Sequence, residues 1–178
     1  EADARLQQAQ TSTCAVVSLE NLQDNGDGTY TLTGSTYQEF FNLCDSEPFL
    51  DQPIPAFCSA FVVGQNVIAS AGHCIETEEE LADAAFVFGF QMRADGEPVT
   101  TIPAEDVYFG DAIIGQEFTV PGEEDWGLYR VDRPITGHPT LPLRRTGKIA
   151  NSQSVTVIGH PSGLPAKIAG GANVSVND

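Results

Sequence analysis

The chain has 178 residues, 41% of them apolar, and a formal charge of −17. A surface this acidic repels phosphate backbones and excludes a nucleic-acid binder, and no segment approaches the ~18 consecutive apolar residues of a membrane span. Seventeen glycines and eleven prolines favour many turns over long helices, so composition points to an all-β globular protein of one large or two small domains.

Glu1 to Gln10 is polar and shows no basic-then-apolar leader, so a secreted protein would already have lost its signal peptide. Ala15-Val16-Val17-Ser18-Leu19 reads as a first strand. The Asp24-Asn25-Gly26-Asp27-Gly28 cluster before Thr29-Tyr30-Thr31-Leu32-Thr33 reads as the turn of a hairpin. The same cluster suggests calcium, but it lacks the full ligand ladder and the closing Glu. Ser35 to Leu43 is expected to form a short helix. Ala56 to Ala71 is a second hairpin about Gly64-Gln65-Asn66. Thr77-Glu78-Glu79-Glu80 is a capping box that opens a short helix, its acidic run a solvated face rather than a metal site. Ala85 to Phe90 is a strand, Ala94 to Pro98 a turn, and Val99 to Ile102 the expected partner of that strand. Val107–Phe109, Gly127–Val131 and Val155–Ile158 complete the strands. Short strands with frequent turns suggest a barrel or sandwich. Pro134 to Pro142, with three prolines, a glycine and few apolar residues, reads as a linker.

Four cysteines, Cys14, Cys44, Cys58 and Cys74, form no Cys-x-x-Cys pair, which argues against zinc. Their even number and wide spacing suggest two disulfides and an oxidising compartment.

The segment Cys58-Ser59-Ala60-Phe61 through Ser70-Ala71-Gly72-His73-Cys74 resembles the trypsin/chymotrypsin family of serine proteases. Members carry a small-Ala-Ala-His-Cys motif whose Cys bonds to one about sixteen residues earlier. The resemblance therefore implies a Cys58–Cys74 bridge holding His73 as general base, and it leaves Cys14 and Cys44 as the second pair. Glu124-Asp125-Trp126-Gly127-Leu128-Tyr129-Arg130-Val131 is similar to the family's Asp-hydrophobic-Ala-Leu-Leu strand, which implies that Asp125 is the buried carboxylate orienting His73. Val155 to Gly163 resembles the opening of the second barrel, and the likeness leans toward the bacterial branch that includes glutamyl endopeptidases.

The resemblance implies a chymotrypsin-like double β-barrel. The expected division is a first barrel over residues 1–133 with the catalytic His and Asp, a linker over 134–142, and the start of a second barrel over 143–178. Gly72 and Gly127 stand where the family has Ala, small changes expected to loosen the backbone. No Gly-Asp-Ser-Gly-Gly or Gly-Asn-Ser-Gly-Ser motif occurs. Ser162 sits in Gly-His-Pro-Ser-Gly, which is not Gly-x-Ser-x-Gly and does not support a nucleophile. The nucleophilic Ser is therefore expected outside this chain, and residues 1–178 alone are expected to be inactive. His138 reads as a structural or exposed linker residue and His160 as a turn residue.

The expected function is a secreted, extracellular or periplasmic serine endopeptidase. It takes a peptide or protein substrate, has no cofactor, and has no nucleic-acid or membrane partner. Its C-terminal segment is a candidate partner as a separate polypeptide. The alternative is a non-catalytic protease-like domain or processed fragment acting in binding, with a β-sandwich adhesion domain as a third class.

Overall fold

A computed structural model describes residues 2–119 and 124–176. Glu1, where the polar N-terminal stretch begins, and the last two residues of the segment read as a second barrel lie outside the described residues.

Helix α1, Ala2–Thr11, runs straight into strand β1, Thr13–Ser18. This helix was not foreseen. It has no apolar stripe, and just past its last turn the Ser12 hydroxyl lies 2.5 Å from the Pro139 carbonyl and 3.1 Å from that of Gln8. Strands β2 (Leu22–Asp24) and β3 (Thr29–Leu32) form the first hairpin. Its turn is closed by its own carboxylates. Asp24 Oδ1 accepts from the Gly26 amide at 2.8 Å, and Asp27 Oδ1 accepts from the Thr29 amide at 3.0 Å and hydroxyl at 2.6 Å. These bonds, the Thr29 hydroxyl first, hold the Asp27 carboxyl below its usual range.

Helix α2, Tyr37–Phe41, and helix α3, Glu78–Ala82, both begin at complete capping boxes, Thr36/Glu39 and Thr77/Glu80. Between them, β4 (Ala56–Gly64) and β5 (Val67–Ser70) make the second hairpin. After α3 come β6 (Ala84–Val87), β7 (Thr101–Pro103), β8 (Val107–Phe118) and β9 (Asp125–Val131). The last pair is β10 (Ser154–Gly159) and β11 (Lys167–Asn173).

Six strands close a barrel in the order β1-β4-β5-β9-β8-β6. A three-stranded sheet, β2-β3-β7, and the two-stranded β10-β11 lie beside it. The expected all-β, chymotrypsin-like barrel architecture is therefore present.

Strand β1 explains the layering. Successive side chains of a strand point to opposite faces. Cys14 and Val16 enter the barrel interior with Val62, Ile68, Phe86, Phe88, Tyr108 and Tyr129. Ala15 and Val17 face outward and are covered by Leu32, Ile102 and Val107. Both faces are buried, so the strand is a continuous apolar run rather than an alternating one.

Two expectations fail here. Val99–Ile102 is not the partner of the strand at Ala85–Phe90. That strand, β6, pairs with β1 and with β8, whereas Ile102 on β7 pairs with Tyr30 on β3. Hairpin proximity suggested local pairing, but barrel closure needs both edges of β6. The Cys14–Cys44 bridge is not formed, and both cysteines are free. Cys14 is 0% exposed inside the barrel, and burial pushes its thiol far above the usual range. Cys44 lies on the exposed loop after α2, so one thiol is in the barrel interior and the other at the surface.

Candidate active site

His73 sits in a single 3-10 turn, Gly72–Cys74, directly after β5. The turn is tethered at Cys74 by the disulfide to Cys58 on β4. Sequence therefore presents the imidazole at the open end of a hairpin whose two arms are covalently joined. Gly72 is required at this point. A Cβ there would run into the backbone carbonyl of Glu117 and lie 2.9 Å from that of Trp126. The glycine permits close approach to β8 and β9, a packing role beyond the expected loosening of the backbone. The Gln116 side chain adds a donor to the Gly72 carbonyl at 2.9 Å.

Asp125 is the first residue of β9, paired across the ladder with Phe118. Its carboxylate takes two hydrogen bonds from His73. The His73 backbone N–H donates to Oδ1 at 3.1 Å, and ring Nδ1 lies 2.9 Å from Oδ2. A carboxylate only accepts, so Nδ1 is the ring nitrogen that donates to Asp125. Nε2 has no hydrogen-bond partner among the described residues. The backbone N–H of His73, followed by the ring, holds the Asp125 carboxyl below its ordinary value.

Asp125 was expected to be buried. Instead its side chain is 41% exposed and that of His73 51%. The ladder from β8 covers one side of the pair, and Phe118 packs edge-on against the imidazole at 5.6 Å. The other side is open.

The sulfurs of Cys58 and Cys74 lie with a His73 nitrogen inside 4.8 Å. Both are consumed by their mutual bond, so the trio offers no thiolate to a metal.

The other candidates lie apart from this pair. Ser162 is exposed, in the left-handed region at φ 53°, and lines a surface recess with Phe40, Phe41 and Phe57. His160 is 4% exposed. Its Nδ1–H donates to the Leu164 carbonyl at 3.1 Å, and its ring stacks on Phe90. Burial, aided by nearby Lys167, pushes it down to about 4, with the Leu164 carbonyl opposing. His138 is structural. It stacks on Phe88 at 3.9 Å, with Nδ1 2.6 Å from the Thr11 carbonyl and Nε2 3.0 Å from Asp106.

A cavity of about 410 Å³ opens between α1, β4, β5 and β10, reaching Ala71. None of its lining residues is titratable, and its two serines are engaged. Ser70 donates to the Ser59 carbonyl at 2.8 Å, and Ser59 Oγ accepts from the His160 amide at 2.7 Å. His73 and Asp125 thus set an imidazole nitrogen against a carboxylate at an open rim, an arrangement that suits a general base.

None of the described helices is long and apolar enough to cross a membrane. No curated protein matches the chain. Residues 58–178, more than half of the chain, match the family profile of the trypsin-like peptidase domain, and the match contains both His73 and Asp125. Protease-type function accompanies that domain, and on this match the chain belongs to the trypsin-like peptidase family.

Proposed function

We propose that the protein is a secreted serine endopeptidase in which His73 is the general base, Asp125 orients it, and the nucleophilic Ser lies outside these 178 residues. The observation that carries the reading is the pair of hydrogen bonds that Asp125 accepts from the amide and the ring of His73. Asp125 fixes the tautomer with the proton on Nδ1. Nε2 takes the proton of the attacking serine hydroxyl and then returns it to the leaving amine. The acyl-enzyme formed between is hydrolysed by water. The division into a first barrel over 1–133, a linker over 134–142 and the start of a second barrel over 143–178 belongs to the same proposal. It is supported by barrel strands that end at Val131 and by a stretch 134–142 without regular structure. A formed Cys58–Cys74 bridge supports an oxidising compartment. The Gly159-His160-Pro161 turn favours the bacterial branch that includes glutamyl endopeptidases.

Labelling by a fluorophosphonate probe, followed by denaturing mass spectrometry, tests the reading. The adduct is expected on a longer chain or a companion polypeptide, and Asp125→Asn is expected to slow its formation by about 10⁴-fold. Peptide hydrolysis by homogeneous residues 1–178 would disprove the placement of the nucleophile. Absence of any adduct on the native protein would favour a protease-like binding domain.

A further inference from the structure

The turn that carries His73 has a second support besides its disulfide. Tyr129 lies on β9, on the same face as Gly127 and four residues after Asp125. Its side chain is fully buried, with the ring 6.1 Å from that of Phe86. Its hydroxyl reaches up to the turn. It donates to the Ile75 carbonyl at 2.9 Å and lies 3.4 Å from the Ala71 carbonyl. Those two carbonyls flank Gly72–Cys74, so one phenol spans the entry and exit of the turn. Burial, with the nearby carboxylates of Asp125 and Glu80 adding, pushes Tyr129 up to about 12, so it remains a donor throughout the working range of a protease.

Gly127 makes this possible. A Cβ at position 127 would coincide with the Tyr129 hydroxyl and the edge of its ring. The strand pattern set out from the sequence has Ala and Leu at these two places, and here both differ together. The glycine removes the methyl that would occupy the space of the hydroxyl. Strand β9 thereby delivers two groups to one residue. Asp125 orients the ring and amide of His73, and Tyr129 holds the backbone that carries them. A rigid element with fixed spacing between these groups suits a base that must be placed within fractions of an ångström.

We propose that Tyr129, seated over Gly127, is a positioning residue for His73, acting by hydrogen bonding to the turn rather than by touching substrate. The proposal rests on the reading of His73 as general base. Its test is nuclear magnetic resonance on the 178-residue chain, following exchange of the His73 amide and the low-field Nδ1–H signal against core amides of β1 and β6. Loss of one buried hydrogen bond corresponds to about tenfold in local opening, so Tyr129→Phe is expected to speed His73 exchange about tenfold while the core amides stay within about twofold. Unchanged exchange at His73 in folded Tyr129→Phe would overturn the proposal. Gly127→Ala is expected to accelerate His73 exchange with Tyr129 present and to add nothing in a Tyr129→Leu background; equal effects in both would also overturn it. Should Tyr129→Phe not fold, slow His73 exchange retained in Gly127→Ala/Tyr129→Leu would count against it in the same way. Asp125→Asn separates the two readings. If it leaves His73 exchange and the low-field signal unchanged, the His73–Asp125 pair itself is wrong, whatever Tyr129 does.

Discussion

The six-stranded barrel and the β10–β11 hairpin are both built from short β-prone segments, yet they pack very differently. In the barrel, Val16, Ile68, Phe86 and Tyr129 are 0% exposed. In the hairpin, Val157 is 62% exposed and Ile168 43%. The barrel strands pair on both edges and close on themselves, so each inward side chain meets others from across the ring. Among the described residues the hairpin has one internal ladder, with no third strand paired to either edge. A two-stranded unit is marginal by itself, and this one leans on the barrel. Its His160 amide donates to Ser59, the Ala166 amide donates to the Phe90 carbonyl, and Lys167 reaches Gln52. Closure, more than the apolar content of the strands, separates the two regions. The His73–Asp125 pair lies on the closed one.

The comparison can be broken most sharply by truncating one side chain from each region. Phe86→Ala in the barrel is expected to cost about 3–5 kcal/mol, whereas Val157→Ala in the hairpin should stay within about 0.5 kcal/mol. Denaturant unfolding of the two variants checks this, and similar costs would show that the hairpin face is packed after all. Next in size is the staple at the rim of the barrel. Replacing Cys58 and Cys74 together by Ala opens a sixteen-residue loop and should remove about 3 kcal/mol. A cost near zero would mean that the ladder holds the His73 turn without covalent help.

The seam between the two regions is sensitive to acid. His160 has its folded pKa depressed to about 4 from an ordinary 6.5. Between those values the unfolded chain binds the proton and the folded chain does not. The stability carried by the neutral imidazole is therefore complete above about pH 6.5 and is lost as pH falls toward 4. Going from pH 7 to pH 4.5, the wild type should lose about 2 kcal/mol more than His160→Gln. Equal losses would place the acid sensitivity elsewhere than His160. Asp125 and Glu39, whose carboxyls are also held low, act only further down, below their ordinary values of 3.8 and 4.5. For these acids the sign is the same, because stability present above their unfolded values disappears as they protonate.

Much of the local structure was legible in the chain. Thr77/Glu80 follows from capping chemistry, since Ser or Thr three residues before Glu satisfies amides that a helix start leaves open, and the segment 35–43 holds a second such box in the structure. The Asp24–Gly28 and Gly64–Asn66 turns follow from residues that tolerate tight backbones. What escaped notice were features with no local cause. Helix α1 has no apolar stripe, and β11 is mostly exposed, so neither carries a burial pattern. The extension of β8 to Phe118 depends on the ladder it makes with β9. Cys14 and Cys44 looked like a pair because an even count suggests bridges, but only the direction of β1 reveals that one of them faces the barrel interior.

Residue types and spacing along the chain single out the residues on which the proposed chemistry rests. His73 beside Cys74, with Cys58 sixteen residues earlier and an acid opening an apolar strand, is a pattern of residue types and spacings that survives without coordinates. Tertiary structure decided how those residues are held. Asp125 meets the amide as well as the ring of His73, Gly72 lets the turn approach β8 and β9, and Gly127 clears the space that the Tyr129 hydroxyl fills. Covalent neighbours and turn propensities act over a few residues and can be read along the chain. Close approach between strands distant in sequence exists only once the barrel has closed.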